Sequence, residues 1–479
     1  MYQFIKMPVR EVVLVLVAII TTQICLAAEY GVIVDAGSSG SRARIYTWPE
    51  RTSLNQILQL TEVANKKSRP GLSAYASDAA GLRNHIDELL DACKENVPSE
   101  KRANTPFYIM ATAGMRLLPG GDAFSVYQQI DNLLMNKSYC PFDYKRGNAR
   151  TLSGEEEGAF TWISANQLNG LFGQDRTTND TVGIVELGGA SMQIAFVPER
   201  NILADKFPVY VAGRYYPLYV HSYLYYGQDF AVMKIRDNLF RDYDRSSGAS
   251  INNPCMLTGD SLTETMDGVN VTFIGTANAD QCLVLIREEL IYKVPDYQCY
   301  PKPCAIGQIY QPEIPEDMVF HAVSAFIYTI NDIGANDAND MTTASVVEAK
   351  TRDFCQLGLQ GAIDKAGQWG KTRCMVGLYI SSLLTDGLGF EQDESINAEG
   401  EIDDQELTWT PGAMVYEIER RDRGRTMDAD DKPTSKAPSV HCSLILISIL
   451  FTLTTGLING NCKVYILCLG IAISTLTQR

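Results

Sequence analysis

The chain has 479 residues, of which 46% are apolar, and its formal net charge at pH 7 is −16. This length is enough for two domains that each bury a core. The acidic balance argues against a nucleic-acid-binding protein, because phosphate backbones attract Lys and Arg, but it leaves a small phosphorylated substrate open.

The chain begins with an apolar segment. Val12 to Ala28 is almost wholly apolar and follows Lys6 and Arg10. This pattern is typical of a signal peptide, or of a short anchor that is retained. We therefore assign residues 1–28 to a signal peptide or signal anchor. Only two residues separate this segment from the first strand, which favours cleavage.

The stretch Gly31 to Tyr46 predicts a β-hairpin, with an apolar strand, a Gly/Ser turn and an alternating second strand. Asp35 stands near the end of the first strand. The turn, Gly37 to Ser41, carries little side chain, so its backbone N–H groups can turn inward around one anion. A single loop of this kind is weak support for phosphate binding, because Gly/Ser turns are common.

Strands and helices alternate in the following segment. The patterns predict an amphipathic helix at Ala80–Asn96, a buried strand at Phe107–Ala111 and another helix at Phe124–Leu134. This alternation argues for α/β layers. Thr112 follows the buried strand, where its hydroxyl could hold a metal-bound water or a phosphate oxygen. Its spacing alone favours an ordinary strand-end hydroxyl.

A further helix is predicted at Leu152–Leu168. Ser153 and Glu156 match the capping box that begins many helices. Hydrolysis needs a group that orients and deprotonates water, and Glu155, Glu156 and Glu157 are candidates. Glu156 is better explained as the capping partner, and the whole run suits a helix N-terminus. The residues alone therefore do not choose among the three.

The segment Ile184 to Phe196 repeats the first hairpin, with Glu186 in the place of Asp35 and the small residues Gly188 to Ser191 in the turn. Two such hairpins can grip a phosphate chain from opposite sides, and their carboxylates can share one hard cation, directly or through water. The cation would neutralise phosphate oxygens and fix an in-line geometry. The sequence contains no GxxxxGK[ST] element, so this would be phosphate binding without a P-loop.

In the rest of the body, the sequence predicts mixed aromatic and helical character at Tyr219–Leu239. Three helices are predicted after it, at Phe320–Ile330, Cys374–Leu384 and Leu407–Glu419.

The C-terminal region changes composition twice. The polar residues 421–440 are interpreted as a flexible stalk. Two apolar runs separated by Asn459 to Lys463 fill 441–479, and we interpret them as a membrane anchor, either one interrupted span or a hairpin. A lipid-anchor signal is the alternative, for which this tail is long.

Four of the twelve cysteines lie in or beside the apolar termini, which leaves eight in the body. An even number in a chain with an entry signal suggests disulfides. A zinc site is the alternative, and it is less favoured because the chain has only four histidines. N-x-S/T acceptor triplets for glycosylation at Asn136, Asn179 and Asn270 suit a lumenal or extracellular body.

Five ordered blocks resemble the signatures of the apyrase family, the nucleoside triphosphate diphosphohydrolases. They are "IVDAGSSGSRARIY", "ATAGMRLL", "LSGEEEGAFTWISAN", "VELGGASMQIAF" and "SAFIYT". The resemblance extends from about Tyr30 to Tyr416. The opening block is similar to members held in Golgi or lysosomal membranes by an anchor at each end, whereas "CYPKPC" is more like the cell-surface members.

The resemblance implies an α/β fold of two actin/hexokinase-like (ribonuclease H-like) domains with the nucleotide in the cleft between them. The N-terminal domain would comprise 29–152, completed by about 405–420, and the C-terminal domain 153–404. The implied activity is divalent-cation-dependent hydrolysis of the terminal phosphates of nucleoside di- and triphosphates, for example UDP, GDP, ADP and ATP.

The resemblance also bears on location and partners. The catalytic body would lie in the secretory lumen or outside the cell, with Golgi or other endomembranes favoured and the cell surface as the alternative. The membrane would be contacted through the C-terminal segment and, if it is retained, the N-terminal segment. Besides the nucleotide, no nucleic-acid partner is expected, and the sequence does not indicate an oligomeric state.

Family roles carry over position by position. Asp35, Glu186 and Thr112 would hold the water shell of Ca²⁺ or Mg²⁺. Glu157 would be the base that activates the attacking water, and Gln193 would help to position that water.

Substrate contacts follow in the same way. Phosphate would bind to the two loops, at Ser38, Ser39, Gly40, Ser41, Gly188, Gly189, Ala190 and Ser191. The base pocket would be lined by Ser324, Ala325 and Tyr328, with Tyr328 stacked on the nucleobase, a contact that tolerates any base.

Two positions depart from the family pattern. Glu186 stands where the family usually has Asp, and its extra methylene could bring the carboxylate to the metal, which puts the metal preference in doubt. Arg373 stands where an aromatic residue often sandwiches the base. Its guanidinium could stack on the base, or the base could be contacted on one face only.

The resemblance implies three disulfides, Cys255–Cys282, Cys299–Cys304 and Cys355–Cys374. The partner that the family would give Cys93 is absent near Lys66 to Arg69, so Cys93 is paired with Cys140.

Two other functions stay open. A sugar kinase of the same superfold would need a sugar-binding domain and an ATP-rich compartment, and the entry signal argues against it. A membrane glycoprotein that keeps the fold only as a binding scaffold, with Glu186 as the disabling change, would release no phosphate from ADP or UDP in the presence of Ca²⁺.

Overall fold

The computed structural model describes residues 28–37, 39–241, 243, 250–402 and 405–430. Described residues up to Arg423 form one compact unit, and those from Gly424 belong to a second. Residue 28, expected to end the leader, begins the first strand. The remainder of the leader and the expected anchor at 441–479 lie outside the described residues. In the part of the chain that is described, no helix is long and apolar enough to cross a membrane.

The described strands belong to two large sheets and two small ones. In chain order they are β1 Ala28–Ala36, β2 Ser41–Pro49, β3 Thr61–Ser68, β4 Phe107–Ala111, β5 Ala149–Thr151, β6 Gly183–Leu187, β7 Ser191–Phe196, β8 Lys206–Val211, β9 Arg214–Leu224, β10 Ser250–Asn253, β11 Ser261–Met266, β12 Val269–Gly275, β13 Phe320–Ser324, β14 Met341–Thr342, β15 Ile396–Asn397, β16 Glu401–Ile402 and β17 Gln405–Glu406.

The α-helices follow the same order. They are α1 Ala79–Asn96, α2 Ala113–Arg116, α3 Gly120–Leu134, α4 Gly154–Leu168, α5 Gln228–Arg241, α6 Ala279–Leu285, α7 Ala325–Ile333, α8 Ala344–Cys355, α9 Gly358–Ala366, α10 Gly370–Ser382 and α11 Trp409–Asp430. Helices α6 and α10 each continue into a π-helical turn, at Ile286–Leu290 and Leu383–Leu388.

The two hairpins predicted from the sequence are confirmed as one structural unit that occurs twice. In the first sheet, of order β3-β2-β1-β4-β5, β1 pairs antiparallel with β2 and parallel with β4. In the second sheet, of order β14-β15-β13-β6-β7-β9-β8, β6 pairs antiparallel with β7 and parallel with β13. Each Gly-rich turn therefore lies at the carboxyl end of the strand of its sheet that comes first in the chain, β1 or β6.

The central strand β1 is buried on both faces because its side chains alternate between two apolar clusters. Val32 and Val34 pack in a cluster with residues of α1 and α3. Ile33 belongs to a second cluster, which contains Phe160 of α4 and Met414 of α11. The second sheet has the second cluster on one face. Its opposite face is covered by a third cluster, which contains residues of α5 to α10.

Helix α11 packs against the N-terminal strands and α4. Thr410 Oγ1 lies 2.9 Å from the hydroxyl of Tyr46. The amide of Gly412 donates to Ser164 Oγ at 2.7 Å. A Cβ at Gly412 would lie 1.9 Å from the carbonyl oxygen of Phe160, so this close helix contact requires glycine.

Several local predictions are confirmed. Helix α1, strand β4 and helix α3 fall where the periodicity put them. The mixed segment Tyr219–Leu239 divides into the end of β9 and α5. The three disulfides Cys255–Cys282, Cys299–Cys304 and Cys355–Cys374 are all formed.

Three predictions are wrong. The segment Phe320–Ile330 is not one helix, because Phe320–Ser324 is a strand paired on both sides and α7 starts only at Ala325. Cys93 and Cys140 are not bonded to each other but are free thiols in the apolar core. The stalk expected at 421–440 is helical as far as Asp430, and its remaining residues lie outside the described part.

Candidate active site

The first Gly/Ser turn connects β1 and β2, and its residues differ in how open they are. Ser39 is exposed, and Gly40 fits closely, since a Cβ there would lie 2.8 Å from the carbonyl oxygen of Ser68. The hydroxyl of Ser41 is buried and lies 2.8 Å from Nε2 of His85 in α1, so it already has a protein partner. Ser38 lies outside the described residues.

The carbonyl groups of the second turn are held by the segment that follows β9. The carbonyls of Gly188 and Gly189 accept from the amides of Gln228 and Asp229, both at 2.9 Å, at the start of α5. The amides of Gly189 and Ala190 make no hydrogen bond to any described residue. They are therefore available for an anion, as backbone nests are.

Three carboxyl groups, Asp35 of β1, Glu157 of α4 and Glu186 of β6, act on one another. Burial raises the pKa of Asp35 to about 7, and the charge of Glu157 adds to this. Burial, followed by the charge of Glu157, likewise raises the pKa of Glu186 to about 7. Burial raises the pKa of Glu157, while Arg116 opposes that rise. The structure thus brings the two hairpin acids and the predicted base into one electrostatic site.

Both oxygens of the Glu186 carboxylate have hydroxyl donors. Thr161 donates to Oε2 at 2.6 Å, and Ser324 donates to Oε1 at 3.0 Å. Ser324 has φ of 62°, which is uncommon for a residue other than glycine. Ser324, which the resemblance assigns to the base pocket, therefore contacts a predicted metal-site acid.

Glu157 is held by a residue that the sequence analysis did not single out. Arg116 Nη2 donates to Glu157 Oε2 at 2.7 Å and to Ser191 Oγ at 3.3 Å. Gln193 Nε2 donates to Ser191 Oγ at 2.9 Å. Arg116 lies inside the block "ATAGMRLL", and this position in a family-like block was the signal that could have identified it as a site residue.

The neighbouring acids of the same helix have other roles. Glu156 completes the capping box with Ser153, as predicted, and also binds Arg150 at 2.7 Å. Thr112 begins α2, next to the strand of Asp35: its amide donates to the carbonyl of Ala36 at 3.3 Å.

The residues expected at the base pocket are not equally accessible. Tyr328 has 59% of its surface exposed and Ala325 is buried. Arg373 is buried too, with Nε 2.6 Å from Asp332 Oδ2 and Nη1 3.1 Å from Thr329 Oγ1. Its guanidinium therefore supports α7 and does not present a face to a base.

The charge balance at the three acids suits a divalent cation. Burial raises the pKa values of all three carboxyl groups, against the opposing charges of Arg116 at Glu157 and of Arg44 and Arg42 at Asp35, and a bound cation would favour the ionised forms. Among the described residues, no group of three His, Cys, Asp or Glu side chains is arranged to hold an ion directly. The three carboxyl groups supply oxygen donors, the kind that Ca²⁺ and Mg²⁺ prefer.

The acceptor asparagines Asn136, Asn179 and Asn270 are all exposed. Their accessibility meets a requirement for glycosylation, which stays a prediction.

Comparisons with known proteins agree with this architecture. The model of the GDA1/CD39 (nucleoside phosphatase) family matches residues 25–428. The chain is 29% identical to mouse (Mus musculus) "Ectonucleoside triphosphate diphosphohydrolase 8" over 84% of this chain and 85% of that protein. It is 30% identical to "Guanosine-diphosphatase" of Schizosaccharomyces pombe over 83% of this chain and 75% of that protein.

A solved structure is also similar. The crystal structure of nucleoside triphosphate hydrolases from Neospora caninum superimposes with a TM-score of 0.64 and 14% identity, covering 86% of this chain and 97% of that chain. At this identity the likeness supports the fold alone.

Proposed function

The chain belongs to the GDA1/CD39 (nucleoside phosphatase) family and is a nucleotide phosphohydrolase, and from this premise we propose that it removes terminal phosphates from nucleoside di- and triphosphates with Ca²⁺ or Mg²⁺. UDP, GDP, ADP and ATP are the proposed substrates. The observation that carries this proposal is the electrostatic interaction of Glu157 with Asp35 and Glu186, which belong to the two strands that lead into the Gly-rich turns.

The proposed reaction is an in-line displacement at the terminal phosphorus. Glu157 takes a proton from a water molecule as the water oxygen bonds to phosphorus, and the bridging P–O bond breaks. The products are orthophosphate and the shortened nucleotide. The free amides of Gly189 and Ala190 support phosphate binding at the second turn, and Ser39 and Gly40 would serve at the first.

A divalent cation, when bound, would neutralise phosphate oxygens in this site. Asp35, Glu186 and Thr112 are the proposed holders of its water shell. Gln193 and Ser191, which are hydrogen-bonded to each other at 2.9 Å, would orient the attacking water.

Recognition of the base is proposed for Tyr328, whose ring is exposed. Arg373 is not proposed to stack, because its guanidinium is engaged by Asp332 and Thr329.

The same two-domain division, 29–152 completed by 405–420 and 153–404, is part of the proposal. It is supported by the repeated strand order of the two sheets. We also propose a lumenal or extracellular body, Golgi or endomembrane first and cell surface second, with membrane anchoring through the termini. The three disulfides support an oxidising compartment.

The test is a substrate panel of ATP, ADP, UDP and GDP on the full chain, wild type against Glu157→Gln. We expect phosphate release that requires a divalent cation and falls by about 10³-fold or more in the variant. Glu155→Gln is the matched control, because it removes a carboxylate from the same helical turn and should leave the rate within about 3-fold. Full activity of Glu157→Gln would refute the assigned base.

A further inference from the structure

The base Glu157 belongs to α4, but its ion-pair partner comes from another part of the chain. Arg116 is the last residue of the four-residue helix α2, which follows β4 and Thr112. Its Nη2 lies 2.7 Å from Glu157 Oε2, and the two side chains are only 15% and 12% exposed. The pair is therefore largely shielded from water, where a charge-assisted hydrogen bond is stronger than at the surface.

The same nitrogen also reaches the second phosphate turn. Arg116 Nη2 is 3.3 Å from Ser191 Oγ, the first residue of β7. One guanidinium nitrogen thus links the end of α2, which follows Thr112, with the first turn of α4 and the start of β7. These are the elements that carry the predicted metal-water contact, the base and the phosphate loop.

The backbone leaves room for this side chain. A Cβ at Gly154, the first residue of α4, would lie 2.9 Å from Arg116 Nη1 and 1.9 Å from Ser222 Oγ. Arg116 Nε is buried and has no hydrogen-bond partner among the described residues. The guanidinium is therefore held by its two Nη2 hydrogen bonds, while Nη1 packs closely against Gly154.

The donors around Ser191 decide where its hydroxyl proton goes. Arg116 Nη2 and Gln193 Nε2 are both donors, at 3.3 Å and 2.9 Å. Ser191 Oγ must therefore accept from both, which leaves its own proton to be donated to a third group. In the proposed reaction that group is a phosphate oxygen or the attacking water.

We infer that Arg116 is a positioning residue of the hydrolytic centre, which orients the Glu157 carboxylate and makes Ser191 a hydrogen-bond donor. The inference rests on the proposed function for the roles of Glu157 and Ser191. The charge and the hydrogen bond of Arg116 also work against the rise that burial causes in the pKa of Glu157.

A double-mutant cycle tests whether Arg116 acts through Glu157. The full chain is prepared as wild type, Arg116→Ala, Arg116→Lys, Glu157→Gln and the double variant Arg116→Ala/Glu157→Gln, and phosphate release from UDP or ADP is measured. We expect Arg116→Ala to lower kcat by about 10²-fold with KM within about 3-fold. In the Glu157→Gln background, Arg116→Ala should lower kcat by less than about 3-fold.

The second readout is chemical rescue. Millimolar guanidinium should raise the rate of Arg116→Ala by at least about 10-fold and should leave the rate of Glu157→Gln unchanged. Arg116→Lys, which keeps the charge but loses the fork, should retain an intermediate kcat. Arg200→Ala is the matched control, since Arg200 forms an exposed ion pair with Glu313, and its rate should be unchanged with or without guanidinium.

The outcomes separate this inference from the proposed function. Equal losses from Arg116→Ala in both backgrounds, or a raised KM with normal kcat, would overturn the positioning role while Glu157 stays the base. Normal activity of Glu157→Gln would instead remove the proposed base itself. If Arg116→Ala does not fold, an unimpaired rate in a folded Arg116→Lys variant would equally overturn the requirement for the guanidinium.

Discussion

Thr161 donates a hydrogen bond of 2.6 Å to Glu186, so that the α4 helix holds a hairpin acid of the second sheet. The other oxygen of that carboxylate is bound by Ser324 at 3.0 Å. The length of the Glu186 side chain is therefore matched to two fixed hydroxyl groups, which gives a physical meaning to the departure from Asp at this position.

Replacement of Glu186 by Asp should change the metal preference and keep the fold. The shorter carboxylate cannot keep both hydroxyl contacts, and the loss of one buried hydrogen bond costs about 1 kcal/mol. We expect the ratio of the rates in Ca²⁺ and in Mg²⁺ to change by about 3-fold or more, with a small change in Tm. An unchanged metal profile would mean that the Glu186 side-chain length has no bearing on the cation.

Substitutions of Ser324 and Tyr328 should weaken the binding of different ligands, the cation and the nucleotide. The Ser324 hydroxyl donates a hydrogen bond that favours the ionised form of Glu186, so Ser324→Ala should raise the cation concentration needed for half-maximal rate and leave the nucleotide KM unchanged. Tyr328→Ala should do the reverse and raise KM by about 10-fold, since stacking on a base contributes about 1–3 kcal/mol. A nucleotide-specific effect of Ser324→Ala would return Ser324 to the base pocket.

Asp35 should make the cation-free protein less stable as the pH rises. Its folded pKa of about 7 lies above the usual value of 3.8, so the folded chain holds a proton that the unfolded chain has lost between these pH values. Stability falls as the pH rises through this window, and the loss is complete above about pH 7.

The comparison for this prediction is Asp35→Asn in EDTA. The variant should melt a few degrees above wild type at pH 8, a gain on the order of 2 kcal/mol, and should show no such gain at pH 4. Asp91→Asn is the surface control, since Asp91 pairs with Lys94 on the exposed face of α1. A Tm difference that does not depend on pH would contradict the raised pKa of Asp35.

Arg373 should be a stability residue. Its buried guanidinium bonds Asp332 at 2.6 Å and Thr329 at 3.1 Å, and removing one partner of a largely buried ion pair costs about 3 kcal/mol. Arg373→Ala should therefore lower the unfolding free energy by about that amount, without altering the ranking of UDP, GDP and ADP as substrates. Arg352→Ala, which breaks two more exposed pairs, with Asp280 and with Glu348, should change stability by about 1 kcal/mol or less. A changed base preference in Arg373→Ala would restore its stacking role.

Local patterns were sufficient for the parts of the fold in which neighbouring residues decide the structure. The hairpin turns at Gly37 and Gly188 and the capping box at Ser153 are local, so the sequence predicts them. Strand β13 was mistaken for a helix because Phe320 to Val323 are all buried, and a short apolar run that is covered on both faces shows no alternation.

The parts of the site that the sequence missed are formed by contacts between distant residues. Arg116 meets Glu157 across 41 positions and Ser191 across 75, and no periodicity reports such a meeting. Ser324 reaches Glu186 because β13 pairs with β6 in parallel, which depends on a strand that the pattern did not predict. The burial of Arg373 likewise depends on how α7 and α10 pack.

The position of α11 in the chain has a consequence for biosynthesis. Met414 completes the apolar cluster that contains Ile33 and Phe160, so a ribosome must add some 250 further residues after Phe160 before that cluster can close. At elongation rates of about 5–20 residues per second this takes roughly 10–50 s. During that interval the nascent chain exposes an incomplete apolar surface, and we expect chaperones to bind it until α11 has been synthesised.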